Sequence, residues 1–218
     1  MPIAGLFATL LAAVAASSAA LPVDRPVVRV VVRTEGALAV DRRRLTEIVR
    51  TARDIWRPYA DIAFDFASAE TASPGLLQLL ITDRVSPVSE GASLGWIEFV
   101  DGRPSNVISV STTAAAALLK ASRWSGLPKN VQWVFLERAL ARAIAHELGH
   151  YLLASRQHTA QGLMRGQLTP DDIMQPRRSS YRLDRAQVER LRRDVQLARS
   201  DERTPTTKDT MDTKTEQP

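Results

Sequence analysis

The sequence predicts one mixed α+β domain, on three observations. β-branched and alternating apolar runs of strand length stand apart from longer stretches that carry an apolar stripe at helical spacing. Their order, strand–helix–strand–strand–strand–strand–helix, is that of helices layered on a mixed sheet. The chain has 218 residues, 44% hydrophobic and 24% charged, enough to bury a core and too apolar for a disordered chain. Cysteine is absent, which excludes disulfides, thiolate metal sites and cysteine nucleophiles. The net charge of +5, from 29 Lys+Arg against 24 Asp+Glu, gives no unusual affinity for polyanions.

The elements follow in order. Ile3 to Ala16 is an uncharged apolar run, short for a bilayer span and followed by the small residues Ser17-Ser18-Ala19-Ala20. It reads as an export signal over 1–20, cut near Ala20; an uncleaved anchor or an apolar N-terminal helix is the alternative. The expected protein is therefore exported, periplasmic or secreted, with a domain over 21–199, a polar disordered tail over 200–218 and no stable membrane insertion after cleavage. After Pro26, Val27 to Arg33 reads as a largely buried strand. Asp41 can cap a helix with Leu45, Ile48, Val49, Ala52, Ile55 and Trp56 on one stripe, ended by Pro58. Ile62, Phe64 and Phe66 alternate as a half-buried strand, and Leu76 to Thr82 follows Ser73-Pro74-Gly75 as another. Leu94 to Val100 and Asn106 to Ser111 flank Asp101-Gly102 as a hairpin-like pair. Thr112 or Thr113 starts an alanine-rich helix to about Ser122. Asn130 can cap a long helix from Val131 to about Ala154. Ser155 to Ser180, rich in Gly, Pro, Gln, Ser and Arg, is expected to be irregular. Asp184, with Gln187 at the box position and Leu183 able to staple on Val188, begins a last helix from Arg185 to Arg199.

All three histidines lie between positions 146 and 158. The long helix contains His146-Glu147-Leu148-Gly149-His150. Four helical residues turn through about 400° and rise about 6 Å, so His146 and His150 project from one face. At that spacing two imidazoles can meet one tetrahedral Zn²⁺, and Glu147 can reach a water on the metal, as in the HExxH pattern of zinc proteases. Leu136, Leu140, Ile144, Leu148 and Leu152 form the core-facing seam. The histidines lie about 200° around from it and are expected to point outward, into a cleft. Catalytic zinc usually has three protein ligands. His158 is the remaining imidazole, with Asp171, Asp172 and Glu189 as alternatives. Gly162-Leu163-Met164 then forms a turn carrying a methionine.

At these residues the sequence resembles the zincin metallopeptidases and, within them, the metzincin clan, whose signature is HExxHxxGxxH followed by a methionine turn. The resemblance implies a zincin-like mixed β-sheet with an N-terminal helix, a long HExxH active-site helix and a cleft-lining edge strand; a C-terminal helix completes the expected domain. It implies His146 and His150 as helix ligands, Glu147 as the catalytic base and Met164 as the methionine of the turn; Met174 is a second candidate. The clan's glycine falls here at Leu153 and its third histidine at Arg156, so His158 comes two positions late and the connecting turn is longer. The short interval to the methionine is similar to that of the archaemetzincins, whose cysteines this chain lacks.

The expected function is that of a zinc endopeptidase acting on a peptide or protein substrate, Glu147 assisting attack by metal-activated water. Tyr151, Tyr181 and Arg156 are candidates to support the oxyanion. Leu94 to Val100 is the candidate edge strand for peptide addition, with Trp96 or Phe99 shaping a subsite or filling core. The first strand follows the cleavage point so closely that no prodomain is expected. A metal- or peptide-binding module without catalysis is the main rival, against which Glu147 speaks. Nucleic acid is not expected as a partner, because Asp184, Glu189 and Asp194 interrupt the arginines from Arg177 to Arg193.

Overall fold

Five strands form one sheet in the order β2-β1-β3-β5-β4. In the computed structural model, which describes residues 25–36, 40–66, 76–87, 93–174 and 181–202, these are β1 (Val27–Glu35), β2 (Asp61–Phe66), β3 (Leu77–Thr82), β4 (Gly95–Val100) and β5 (Arg103–Ser111). The expected export signal, the Ser73-Pro74-Gly75 turn, Arg177, Arg178 and the tail beyond Glu202 lie outside the described residues.

β1 pairs in parallel with β2 and β3, and β3 in parallel with β5. β1 is buried only at Val30, Val31 and Val32, less than its valine run suggested. β3 begins opposite Val30, which leaves Val27 71% exposed. β4 is antiparallel to β5 and lies at the sheet edge. The hairpin turns on two residues with positive φ, Asp101 at 50° and Gly102 at 77°, the I′ geometry that Asp-Gly favours.

Helix α1 (Arg42–Trp56) connects β1 to β2. Its Asp41 cap accepts from the Arg44 N–H, and all six residues of the expected stripe are buried. Trp56 donates its indole N–H to the Ala145 carbonyl at 2.9 Å, tying α1 to the long helix. α2 (Thr112–Lys120) is capped by Ser111, and Thr112 bonds the Thr82 carbonyl.

The long helix α3 spans Lys129–Leu152. It starts one residue before the expected cap, so Asn130 sits inside the first turn. Pro128, extended at φ −55° and ψ 145°, offers its carbonyl to the Val131 and Gln132 N–H groups instead. Leu136, Leu140, Ile144 and Leu148 are buried as expected, but Ala139, Ala141, Ala143, Ala145, Glu147 and His150 are buried too. α3 is thus enclosed on most sides between sheet, α1 and the chain that follows it. Within the stretch expected to be irregular, Pro170–Met174 forms a short helix, α4. α5 (Arg185–Glu202) begins with the reciprocal capping box: Gln187 N–H to Asp184, and Asp184 N–H to Gln187. It continues past Arg199 through Ser200–Glu202. Among the described residues no helix is long and apolar enough to cross a membrane.

This is the mixed α+β architecture expected of a zincin-like domain: an N-terminal helix, a long helix bearing the HExxH residues and a C-terminal helix on a five-stranded sheet.

Candidate metal centre

The end of α3 determines where the third histidine goes. Ala154 adopts φ 41°, its N–H bonds the Tyr151 carbonyl, and the Ser155 N–H reaches back to the His150 carbonyl at 3.2 Å. These two bonds make a Schellman turn, with alanine where glycine usually sits. The chain reverses one residue after Leu153, and His158 returns to the face of His146 and His150. The two-residue delay seen in the sequence is absorbed by this turn and by Arg156-Gln157.

The three imidazoles converge through Nε2. His150 Nε2 lies 3.0 Å from His146 Nε2 and 3.2 Å from His158 Nε2, and a ligand atom from each ring falls within 4.8 Å of the others. The opposite nitrogens are held by backbone. His146 Nδ1 lies 2.9 Å from the Leu163 carbonyl, and His150 Nδ1 2.6 Å from that of Ser155. A carbonyl only accepts, so Nδ1 carries the hydrogen in both rings and each Nε2 presents a lone pair. Lone pairs 3.0 Å apart repel unless a cation lies between them. The donors around a tetrahedral zinc at about 2.0–2.1 Å are about 3.4 Å apart, close to the spacing seen here. The donor set therefore fits a metal ion held by three imidazole nitrogens.

Electrostatics favours the uncharged forms. Burial, then the neighbouring His150, pushes the His146 pKa down to about 4, and burial lowers His150 as well. Burial pushes the Glu147 carboxyl up to about 8. Glu147 is 5% exposed and lies against β4, where a Cβ on Gly95 would come within 2.8 Å of its Cγ.

The outward, solvent-facing histidine face expected from the helical wheel is not what the structure has. His150 is 6% exposed and His146 half-buried; His158 alone is exposed. The cause is the returning segment, whose carbonyls at Ser155 and Leu163 cover the rings. The alternative ligands are elsewhere. Asp172 binds Arg165 and the Thr169 amide and hydroxyl, Glu189 pairs with Arg185 at 2.9 Å, and Asp171 is exposed outside the cluster. Tyr181 donates to the Asp172 carbonyl at 2.9 Å beneath the Arg142 guanidinium, Arg156 donates to the Phe99 carbonyl, and Tyr151 is half-buried.

Three glycines mark close packing around the site. A Cβ on Gly149 would lie 2.1 Å from Met164 Sδ, so the thioether packs directly on α3 between the two helix histidines. Met164 is fully buried, whereas Met174 ends α4 and offers its carbonyl to Arg138. Gly166 lies under His158, with a Cβ 3.2 Å from its Cγ. Glycine inside a helix or strand pattern marks close approach of another group, which was the available signal at Gly149 and Gly95.

No family model matches the sequence, and no curated protein matches it. Among solved structures the chain is similar to a crystal structure of archaemetzincin from Methanopyrus kandleri, with 17% identity over 79% of this chain and 96% of that one, at a TM-score of 0.45.

Proposed function

We propose that the protein is an exported zinc-dependent endopeptidase in which His146, His150 and His158 hold the metal and Glu147 is the general base. The observation that carries this reading is the convergence of three Nε2 atoms, two of them fixed as acceptors by backbone carbonyls on Nδ1. His146, His150 and His158 would hold zinc, which would supply Lewis acidity to activate water and polarise the scissile carbonyl. The chain supplies the rest. Glu147 follows His146 directly, and a nearby dication favours its carboxylate over the neutral acid that burial alone prefers. As carboxylate it accepts the proton of the attacking water and returns it to the leaving amine. Met164 forms the methionine turn, its sulfur supporting Gly149 and thereby the spacing of the two helix ligands. Among the described residues β4 is the outermost strand, the edge on which an extended peptide can add as a further strand.

Glu147→Ala is the direct test. It should retain zinc and abolish cleavage of denatured casein; undiminished cleavage removes Glu147 as base, and an inactive parent leaves a metal- or peptide-binding module. Export rests on the apolar run Ile3 to Ala16 and the small residues after it. N-terminal sequencing of the mature protein should begin at Leu21.

A further inference from the structure

Beside the metal centre, a cleft of about 460 Å³ opens between the β4–β5 hairpin, the turn ending α3 and the first half of α5. Phe99, Gly102, Ser155, Arg156, Gln157 and Arg190 line it. Arg156 donates from Nη2 to the Phe99 carbonyl at 3.1 Å and lies 4.8 Å over the Phe99 ring. Arg190 donates from Nη2 to the Ala154 carbonyl at 3.2 Å. A guanidinium carries five N–H donors, so each of these contacts positions the group and uses only part of its donor capacity. Among the described residues neither arginine is in an ion pair. Glu189, the acid beside Arg190 in sequence, pairs with Arg185, and Asp184 caps α5. Two guanidiniums lining one cleft are a site for a carboxylate.

The cleft is joined to the metal centre twice. The segment forming its wall, Ser155 to Gln157, ends at His158, and its Ser155 carbonyl holds His150. On the other side Gly95, beside Glu147, and Phe99, beside Arg156, lie on the same edge strand. Their separation along β4 is about 13 Å at 3.3 Å per residue, so a peptide on that edge reaches the cleft about three or four residues from the bond being cut. We propose that Arg156 and Arg190 form a specificity subsite for a carboxylate of the bound peptide, an acidic side chain or a chain end, on the flank facing the β4–β5 turn. The substrate class so named rests on the peptidase reading.

The test uses the zinc-loaded full chain and short internally quenched peptides in which Glu, or Gln as control, is scanned through every position. One series has blocked ends and a second a free C-terminal carboxylate. At one flank kcat/KM should favour the carboxylate about tenfold at low salt, and about 0.5 M salt should shrink the advantage. Arg156→Gln and Arg190→Gln should each bring the Glu-to-Gln ratio toward one, with Arg190→Lys retaining part of it. A gain in the blocked series assigns an acidic side chain; a gain confined to the free-ended series assigns the chain end. Cleavage with no carboxylate preference in either series, or a preference that survives both Gln variants, overturns the subsite and leaves the peptidase reading intact. Should no peptide be cleaved, anisotropy of a labelled Glu-rich peptide decides the cleft separately: it should bind more tightly than its Gln-rich counterpart and lose that margin in Arg190→Gln. Equal binding of the two peptides overturns the subsite.

Discussion

Gly149→Ala tests whether Met164 is the floor beneath the histidine helix. The added methyl would stand 2.1 Å from Met164 Sδ and 3.0 Å from its Cε, with Trp56 Cζ2 at 3.5 Å. Contacts that short cannot persist, so either α3 or Met164 must move. Met164 is fully buried, and its carbonyl accepts from the N–H of Thr159, the residue after His158, at 2.8 Å. Displacing the thioether therefore pulls on the third histidine. Alanine gains about 0.5–1 kcal/mol over glycine in a helix interior, whereas overpacking a full core costs about 1–3 kcal/mol. The net expectation is a loss of about 1 kcal/mol or more for the metal-free protein in urea denaturation, and a fall of about tenfold or more in zinc affinity by chelator competition. Met164→Ala alone should cost about 2–5 kcal/mol through its cavity. Combined, the two should cost at least about 1 kcal/mol less than their sum, because the new methyl enters the vacated space. A Gly149→Ala protein as stable as the parent with unchanged zinc affinity, or strict additivity in the pair, would refute the reasoning.

Further outcomes concern charge and backbone. In the zinc-free protein Glu147, with pKa about 8 against 4.5 unfolded, binds more protons when folded, so its contribution to stability falls as pH rises through that window. His146, at about 4 against 6.5, does the opposite and gains stability with pH up to about 6.5. Between about 4.5 and 6.5 those two oppose each other while the lowered His150 adds stability with rising pH, and above that the Glu147 effect alone should remove up to about 2 kcal/mol by pH 8. Urea denaturation across pH should show that fall and Glu147→Gln should flatten it; a parent profile already flat from 6.5 to 8 contradicts the buried acid. Ala154→Gly should stabilise by about 0.5–1 kcal/mol, since alanine in the left-handed region costs about 1–2 kcal/mol and glycine's extra unfolded freedom returns part of it. A thermal or urea measurement showing a loss would contradict the Schellman turn at Ala154.

Local patterns made most of the fold legible. The α1 stripe from Leu45 to Trp56, the Asp101-Gly102 turn and the Asp184/Gln187 box each depend on a few adjacent residues, and all three appear where expected. Strand order was not legible, because parallel pairing of β1 with both β2 and β3 depends on distant partners. The start of α3 differs from the expected Asn130 cap because the extended Pro128 supplies the first carbonyl and places Asn130 inside the first turn. At the site, helical spacing brought His146 and His150 together on the page, and elimination supplied His158. The burial of that face was hidden, because it is made by the backbone of residues 155–163, which has no side-chain signature. Gly95, Gly149 and Gly166 were the readable trace of that close packing. The Arg156–Arg190 cleft brings together residues from two elements and could not be seen before the fold.

X-ray absorption at the zinc edge on the purified protein tests the central claim most directly. The expected result is one zinc per chain with three imidazole nitrogens at about 2.0–2.1 Å, falling to two imidazoles and a weaker hold in His158→Ala. A protein that retains no zinc, or binds it without the imidazoles of His146, His150 and His158, contradicts the account.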